Sequence, residues 1–272
     1  MNTYGSERDR GDGMSGQQQN PAQRRQAITE HVLGNQSVTV TELAQLCQVS
    51  EMTIYRDLEE LERQGVVRKF RGGVTAQPSG VFESNVAYRL AAMRAEKAAI
   101  ARQARNLVEP GMSIMLDDST SALALARLLT DVTPLTITTN YLETIKLLTD
   151  SPGIDLIALG GRYNPTHDSF LGVQCVEAIE AMRVDMLFIS VSAVSGDHAY
   201  HQEDHEVAVK RAMLRAARNR VLLLDHSKLG RSALHRLAPL RDFDRIIIDK
   251  QASPEARREL DEYQIAYELA AS

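Results

Sequence analysis

The sequence predicts an α/β protein in two parts: a small helical domain that ends in a β-hairpin, and a larger α/β domain with a mainly parallel sheet. Three observations predict this arrangement. Residues 41–58 have the apolar spacing of two helices joined by a tight turn, and residues 66–75 resemble two strands around a basic turn. After residue 110, short apolar strands alternate with helices, which is typical of a parallel sheet covered on both faces.

Composition limits the function classes. The 272 residues are 43% hydrophobic and 25% charged, which provides enough apolar material for a core. The net charge of −5 excludes a protein that coats nucleic acid, although a site-specific DNA reader needs only a local basic face. Cys47 and Cys175 lie far apart and indicate a reducing compartment. Since no secretion signal and no apolar stretch of roughly 20 residues is present, we expect a cytoplasmic protein without membrane contact.

The N-terminal elements follow from local signals. Residues 1–20 are polar and predict a disordered tail. A helix over 23–33 precedes a helix capped by Thr41 and a third helix over 51–64 that Ser50 caps. The residues that pack these helices together are Leu43, Ala44, Val49, Ile54 and Leu58.

This packing leaves the outer side of the helix over 51–64 free to enter the major groove of DNA. Arg56 suits a guanine or a phosphate, and Thr53 and Tyr55 can donate to phosphate oxygens. With the basic hairpin as a wing, we predict a winged helix-turn-helix DNA-binding domain over 21–76. The predicted DNA contacts are Ser50, Glu51, Met52, Thr53, Tyr55, Arg56, Arg68, Lys69 and Arg71. An ordinary three-helix core stays open as an alternative, because acidic and basic residues are equal in number over 21–77.

Residues 77–84 resemble a linker, and residues 85–272 form the second predicted domain. One or two helices are expected over 85–108. Strands are predicted at 113–116, 135–139, 154–159, 186–191, 221–224 and 245–248, and helices at 122–129, 141–148, 175–182 and 203–218.

Four predicted strand ends lead into polar or glycine-containing loops. Ligands of open α/β sheets bind at the carboxyl ends of strands, so these loops predict one binding site. Hydroxyls and free backbone N–H groups before a helix suit an anion such as phosphate, and Lys228 adds a cation. The predicted ligand contacts are Asp117, Asp118, Ser119, Thr120, Ser121, Thr139, Asn140, Gly160, Gly161, Asp225 and Lys228.

Both parts resemble the DeoR family of bacterial transcriptional regulators. Residues 24–73 resemble its N-terminal domain, above all in the run Thr-Ile-x-Arg-Asp-Leu-x-x-Leu over 53–61 and in Arg71-Gly72-Gly73. Residues 85–250 resemble its effector-sensing domain, itself similar to sugar-phosphate isomerase folds. The matching pieces there are residues 96–101, 117–120, 139–140, 159–161 and 225–230, and Glu206 with Lys210.

The resemblance implies a repressor of a sugar or carbohydrate catabolism operon. Its implied partners are a double-stranded DNA operator, a phosphorylated sugar as effector, and further copies of the chain in a dimer or tetramer. Lys210 joins the predicted effector contacts on this basis, and residues 85–272 become an effector-sensing and oligomerisation domain.

We expect neither catalysis, nor a cofactor, nor a metal ion. A sugar-phosphate-binding protein with residual isomerase-type catalysis is the alternative, because the predicted site contains groups for proton transfer: Asp117, Asp118, Glu206, Lys210 and Lys228. The spacing of His198, His201 and His205 is possible for metal ligands, but the loop predicted to carry the first two offers no apolar frame.

Overall fold

The computed structural model describes residues 20–35, 37–63, 66–76 and 86–271. The predicted tail over 1–20, except Asn20, and the predicted linker over 77–84 lie outside these residues. Within the described ranges, none of the helices combines the length and apolar character that crossing a membrane requires.

The N-terminal part combines three helices with a three-stranded antiparallel sheet of order β1-β3-β2. Its elements are α1 (Pro21–Gly34), β1 (Val38–Thr39), α2 (Val40–Cys47), α3 (Glu51–Arg63), β2 (Val67–Phe70) and β3 (Gly73–Ala76). Ile28 of α1, Leu43 of α2, and Ile54 and Leu58 of α3 are fully buried in one core. The predicted inward positions therefore hold the two helices of the helix-turn-helix together.

Thr39, and not the predicted Thr41, caps helix α2. The Thr39 hydroxyl accepts from the Glu42 N–H at 3.2 Å, and the Glu42 carboxylate accepts from the Thr39 N–H at 2.7 Å. This reciprocal pair satisfies two backbone donors at the helix start. Thr41 already lies inside the helix, and its hydroxyl donates to Glu51 across the turn at 2.7 Å. The sequence prediction was wrong by two residues, and the glutamate three residues after Thr39 is the signal that marks the observed cap.

A buried ion pair fixes α3 against α1. Asp57 is 3% exposed, and its carboxylate accepts from Arg24 at 2.5 Å, with Arg25 at 3.5 Å. Removing one partner of such a pair costs about 3–5 kcal/mol, since a buried charge is left uncompensated. Asp57 therefore has a structural role, whereas its neighbour Arg56 is exposed.

The C-terminal part is an α/β domain. Its helices are α4 (Val86–Ala91), α5 (Arg94–Arg105), α6 (Thr120–Ala126), α7 (Leu142–Leu148), α8 (Val173–Glu180), α9 (Asp204–Ala216) and α10 (Pro254–Glu262). Its first strands are β4 (Ser113–Leu116), β5 (Leu135–Thr139), β6 (Ile154–Ala158), β7 (Arg162–Asn164) and β8 (Ser169–Leu171). The remaining strands are β9 (Val184–Ile189), β10 (Ala193–Ser195), β11 (His198–His201), β12 (Ala217–Leu224), β13 (His235–Pro239), β14 (Arg245–Asp249) and β15 (Glu268–Ala270).

Seven of these strands form one parallel sheet of order β15-β14-β12-β9-β4-β5-β6. The chain winds from β4 outward to β6, then returns to β9 beside β4 and winds the other way. The point where the winding direction reverses lies between β4 and β9. Open sheets of this kind bind ligands at that point, beyond the carboxyl ends of the strands. The six predicted strands all belong to this sheet, with ends within two residues except at β12, which starts four residues earlier.

The structure adds elements that the sequence did not predict. A hairpin of β7 and β8 precedes α8, and a separate antiparallel sheet joins β10, β11 and β13. His198 and His201 lie on β11 and not in a loop, so the expectation of an unframed loop was wrong. His201 is 7% exposed, whereas His205 lies on α9 with 44% of its side chain exposed.

Candidate functional site

Four of the nine predicted DNA contacts are exposed on α3: Glu51, Met52, Tyr55 and Arg56. Met52 and Tyr55 are 64% and 45% exposed, although both are large apolar side chains, and Arg56 is exposed beside them. The spacing of three and four residues places all three on one side of the helix. The Ser50 hydroxyl instead accepts from the Thr53 N–H at 3.3 Å and contacts the Thr53 hydroxyl at 3.0 Å. These two polar residues therefore stabilise the start of α3.

The wing is the hairpin of β2 and β3. Gly72 has a positive φ of 90° in its turn, a conformation that favours glycine. Arg68 and Arg71 are exposed, whereas Lys69 lies 2.9 Å from the Glu62 carboxylate of α3. Two of the three predicted wing cations thus point to solvent, and the third is paired within the domain.

A cavity opens at the carboxyl ends of β4, β9 and β12. Six of the predicted effector contacts line it: Ser119, Thr120, Ser121, Lys210, Asp225 and Lys228. Arg89 and Lys97 add two more cations to the wall. Four cationic side chains against one lining carboxylate give the wall a positive character, which suits an anionic ligand.

Lys210 is the centre of the cavity floor. Its ammonium group is 2% exposed and donates to Asp117 at 2.5 Å, to Asp118 at 3.2 Å and to the Ser190 carbonyl at 3.3 Å. Asp117 also accepts from the Ser119 and Ser190 N–H groups, so it ties the loop after β4 to the end of β9. Asp117 and Asp118 therefore contact Lys210 beneath the cavity and do not line it.

Burial and charge act against each other in this floor. Burial alone would raise the pKa of Asp118, but the charges of Lys210 and Arg89 lower it below its ordinary value. Burial and the Asp118 charge raise the pKa of Glu206 well above its ordinary value. Burial and the Lys210 charge hold the pKa of His201 well below its usual range, so this imidazole is neutral.

Four predicted effector contacts lie away from the cavity. Thr139 and Asn140 follow β5, on the far side of β4 from β9, and are fully buried. The Thr139 hydroxyl accepts from the Tyr141 N–H, and the Asn140 amide donates to the Phe170 carbonyl. Gly160 and Gly161 follow β6, one strand further out; a Cβ on Gly161 would lie 2.4 Å from the Leu171 carbonyl. Gly161 therefore allows the backbone of β8 to approach closely, at the position where the sequence analysis predicted a ligand.

Several lining residues were missed by the sequence analysis. Ser190 and Ser192 follow β9 in the way that the predicted loops follow their strands, so the same rule applied to β9 would have found them. Lys97 lies in the run that resembles the family. Arg89 donates to the carbonyls of Asp118 and His167, and no local pattern marks it. His167 and His201 reach the cavity from the β7–β8 hairpin and from β11, which only the fold reveals.

The three histidines considered as metal ligands are not brought together. His198 Nδ1 lies 2.6 Å from Asp197, His201 faces the cavity, and His205 lies 2.6 Å from Glu203. A different group is assembled in the described residues: ligand atoms of Asp118, His167 and Glu206, all buried, lie within 4.8 Å of one another.

Family models cover most of the described chain. The DeoR-like helix-turn-helix domain matches residues 24–79, and the DeoR C terminal sensor domain matches residues 92–250. The boundary between the two matches coincides with the change from the helix-turn-helix to the parallel sheet.

Relatives match along most of their own length. An uncharacterised HTH-type transcriptional regulator of Escherichia coli K12, YgbI, is 36% identical over 88% of this chain and 94% of its own. A putative aga operon transcriptional repressor of Escherichia coli O157:H7 is 32% identical over 84% of this chain and 86% of its own. The glycerol-3-phosphate regulon repressor of Escherichia coli K12 is 29% identical over 91% and 98%.

Among solved structures, ribose 5-phosphate isomerase A from Methanocaldococcus jannaschii aligns with 51% of this chain and 53% of its own. The TM-score is 0.35 at 19% identity.

Proposed function

Because the chain belongs to the DeoR family of transcriptional regulators, we propose that it represses a carbohydrate operon by binding operator DNA through α3 and the wing. A phosphorylated sugar in the cavity then changes this binding. The exposed set of Met52, Tyr55 and Arg56 beside a basic hairpin is the observation that supports the DNA contact. The DNA-binding domain spans 21–76 and the sensing domain 85–272.

The lining of the cavity supports an anionic, hydroxyl-bearing effector. Arg89, Lys97 and Lys228 supply positive charge for a phosphate, and hydroxyls lie beside them at Ser119 and Thr120. One relative is named as the glycerol-3-phosphate regulon repressor, and another as a putative aga operon transcriptional repressor. Among the predicted contacts, those on the cavity wall are the ones we retain for the effector.

The protein acts by binding without turnover, in the cytoplasm where the operator lies, and as a dimer or tetramer. Two DNA readers at a fixed spacing match an operator with two half-sites, and symmetric oligomers provide such a spacing. Lys210 supports binding over catalysis, because it is held by two carboxylates and a carbonyl and is not poised as a base.

A ligand screen followed by a DNA-binding measurement tests this function. We expect one member of a panel of phosphorylated sugars and polyols to raise the melting temperature of the full chain, and its unphosphorylated form to have no effect. The same compound should change the affinity for DNA from upstream of the protein's own gene. The effector half of the proposal is wrong if no phosphorylated compound alters melting or DNA affinity.

Two substitutions separate base reading from phosphate contact. Arg56→Ala should weaken specific binding by about 1–3 kcal/mol and relax sequence preference, because this side chain lies on the exposed face of α3. Arg71→Ala should weaken binding to all sequences alike and reduce the slope of log affinity against log salt by about one contact. Equal losses on operator and unrelated DNA for Arg56→Ala would contradict its role in reading bases.

A further inference from the structure

We propose that Asp118, His167 and Glu206 bind a divalent transition-metal cation beneath the effector cavity. The three side chains come from different parts of the fold: the loop after β4, the β7–β8 hairpin and the first turn of α9. Their exposures are 3%, 2% and 0%. The inference stands without the proposed function, because metal uptake is measured in the absence of DNA and of sugar phosphate.

Unpartnered polar atoms converge in this group. Asp118 Oδ2 and both carboxylate oxygens of Glu206 are buried without a hydrogen bond. Buried polar atoms in folded proteins nearly always have a partner, and each exception needs an explanation, such as a bound ion. Three orphaned oxygens in one buried cluster indicate that something polar belongs between these side chains.

The donor set favours a metal ion. Two carboxylates and one imidazole are ligands that Zn²⁺ and Mn²⁺ both accept. A tetrahedral cation at about 2.1 Å from each donor separates the donors by about 3.5 Å. Since the ligand atoms already lie within 4.8 Å of one another, small side-chain rotations close the set.

The surroundings of His167 resemble the outer shell of a metal site. His167 Nδ1 lies 3.5 Å from Glu206, and Nε2 lies 3.1 Å from the Glu203 carboxylate on the other side of the ring. A carboxylate beside the distal nitrogen fixes the orientation of a ligating imidazole and raises its basicity. Nδ1 is therefore the ligating atom, and Glu203 is the positioning residue.

Lys210 leaves room for the cation. Its ammonium group contacts Asp118 Oδ1 and Asp117, so Asp118 Oδ2 stays available. With Glu206 ionised, the buried charges of Asp117, Asp118, Glu206 and Lys210 sum to −2, which a divalent cation offsets. His167 also lines the cavity, so an open coordination position would face the effector and take one of its oxygens.

Metal analysis of the full chain tests the site. Protein stripped with EDTA, then equilibrated with Zn²⁺ or Mn²⁺ and dialysed, should retain about one ion per chain, as expected for a single three-ligand site. His167→Gln and Glu206→Gln should each weaken binding by about tenfold or more, because each removes a ligand. His198→Gln, which removes a histidine outside the group, should bind as the wild type does.

Three outcomes overturn the proposal: no retained metal, uptake that survives both ligand substitutions, or equal loss in His198→Gln. The first outcome assigns the orphaned atoms to effector hydroxyls alone. If the substitutions prevent folding, paramagnetic Mn²⁺ added to the wild-type chain locates the bound ion through the NMR signals that it broadens. It should broaden NMR signals of the loop after β4 and of the start of α9 before those of α3; broadening elsewhere first contradicts the site.

Discussion

At the scale of residues, one ammonium group holds the floor of the cavity together. Lys210 joins Asp117 and Asp118 after β4 to the Ser190 carbonyl after β9, across the point where the winding of the sheet reverses. These strands are neighbours in the sheet but lie about 70 residues apart in sequence, so no local interaction could align their ends. A ligand that contacts Lys210 therefore contacts a group that already joins the ends of β4 and β9.

His226 makes the stability of the sensing domain depend on pH. Its ring Nδ1 lies 3.0 Å from the Asp249 carboxylate, and its backbone N–H donates to the same carboxylate at 2.6 Å. The hydrogen bond to Asp249 raises the pKa of His226 above its ordinary value of about 6.5, although burial opposes the shift. A raised pKa in the folded state stabilises the fold fully below pH of about 6.5, and this contribution is lost as pH rises through the folded pKa.

We therefore expect His226→Gln to destabilise the protein more at pH 6 than at pH 8, relative to wild type at each pH. Urea unfolding of both proteins across this range measures the difference in free energy of unfolding. Comparison at each pH removes the contribution of His201, whose lowered pKa acts in the opposite sense. A difference that stays constant with pH would show that the imidazole contributes only packing.

At the scale of elements, the start of α2 decides how firmly the helix-turn-helix is held. Thr39→Ala removes the side-chain acceptor of the capping box, so it should destabilise α2 by about 1 kcal/mol. Thr41→Ala removes only an exposed bond to Glu51 and is the matched control, with a smaller expected loss. Hydrogen exchange at the amides of α2 measures both effects in the intact chain. Equal losses, or a larger loss for Thr41→Ala, would restore Thr41 as the cap.

Periodicity predicted the elements that form continuous cores, and it missed those that depend on distant partners. Five of the six predicted strands are mainly buried in the parallel sheet, where apolar runs are the signal, and the sixth, β6, is its half-exposed edge strand. β7, β8 and β10 have three residues each, too few for a period to show, and β11 contains two histidines. The same limit applies to the site. The loops after β4 and β12 are recognisable in the sequence from their hydroxyl and charged residues. His167 and Arg89 reach the cavity only through the tertiary fold, so no local pattern marks them.

At the scale of the whole molecule, the two parts meet at the turn between α4 and α5. The Gln26 amide of α1 donates to Met93 Sδ at 3.6 Å, and Met93 is buried with a positive φ of 52°. The same turn is held by Lys97, whose ammonium group donates to the Arg89 and Ala92 carbonyls at 2.6 and 2.7 Å. Because Arg89 and Lys97 also line the cavity, we expect an anion bound there to act on the segment that contacts the N-terminal part.

Coupling through this segment would have a thermodynamic consequence that a single experiment can check. If the effector weakens operator binding by some factor, operator DNA must weaken effector binding by the same factor, about 5- to 150-fold for typical couplings. We expect calorimetric titration of the best compound from the thermal-shift screen to give a lower affinity when operator DNA is present. The factor should equal the one by which the compound lowers the affinity for operator DNA, measured by fluorescence anisotropy. Lys97→Met should reduce both factors together, because it removes the contacts that hold the α4–α5 turn. Unrelated DNA of equal length is the control and should leave effector affinity unchanged. Unequal factors would mean that the compound binds a second site or changes the oligomer, so that the turn is not the route between cavity and operator.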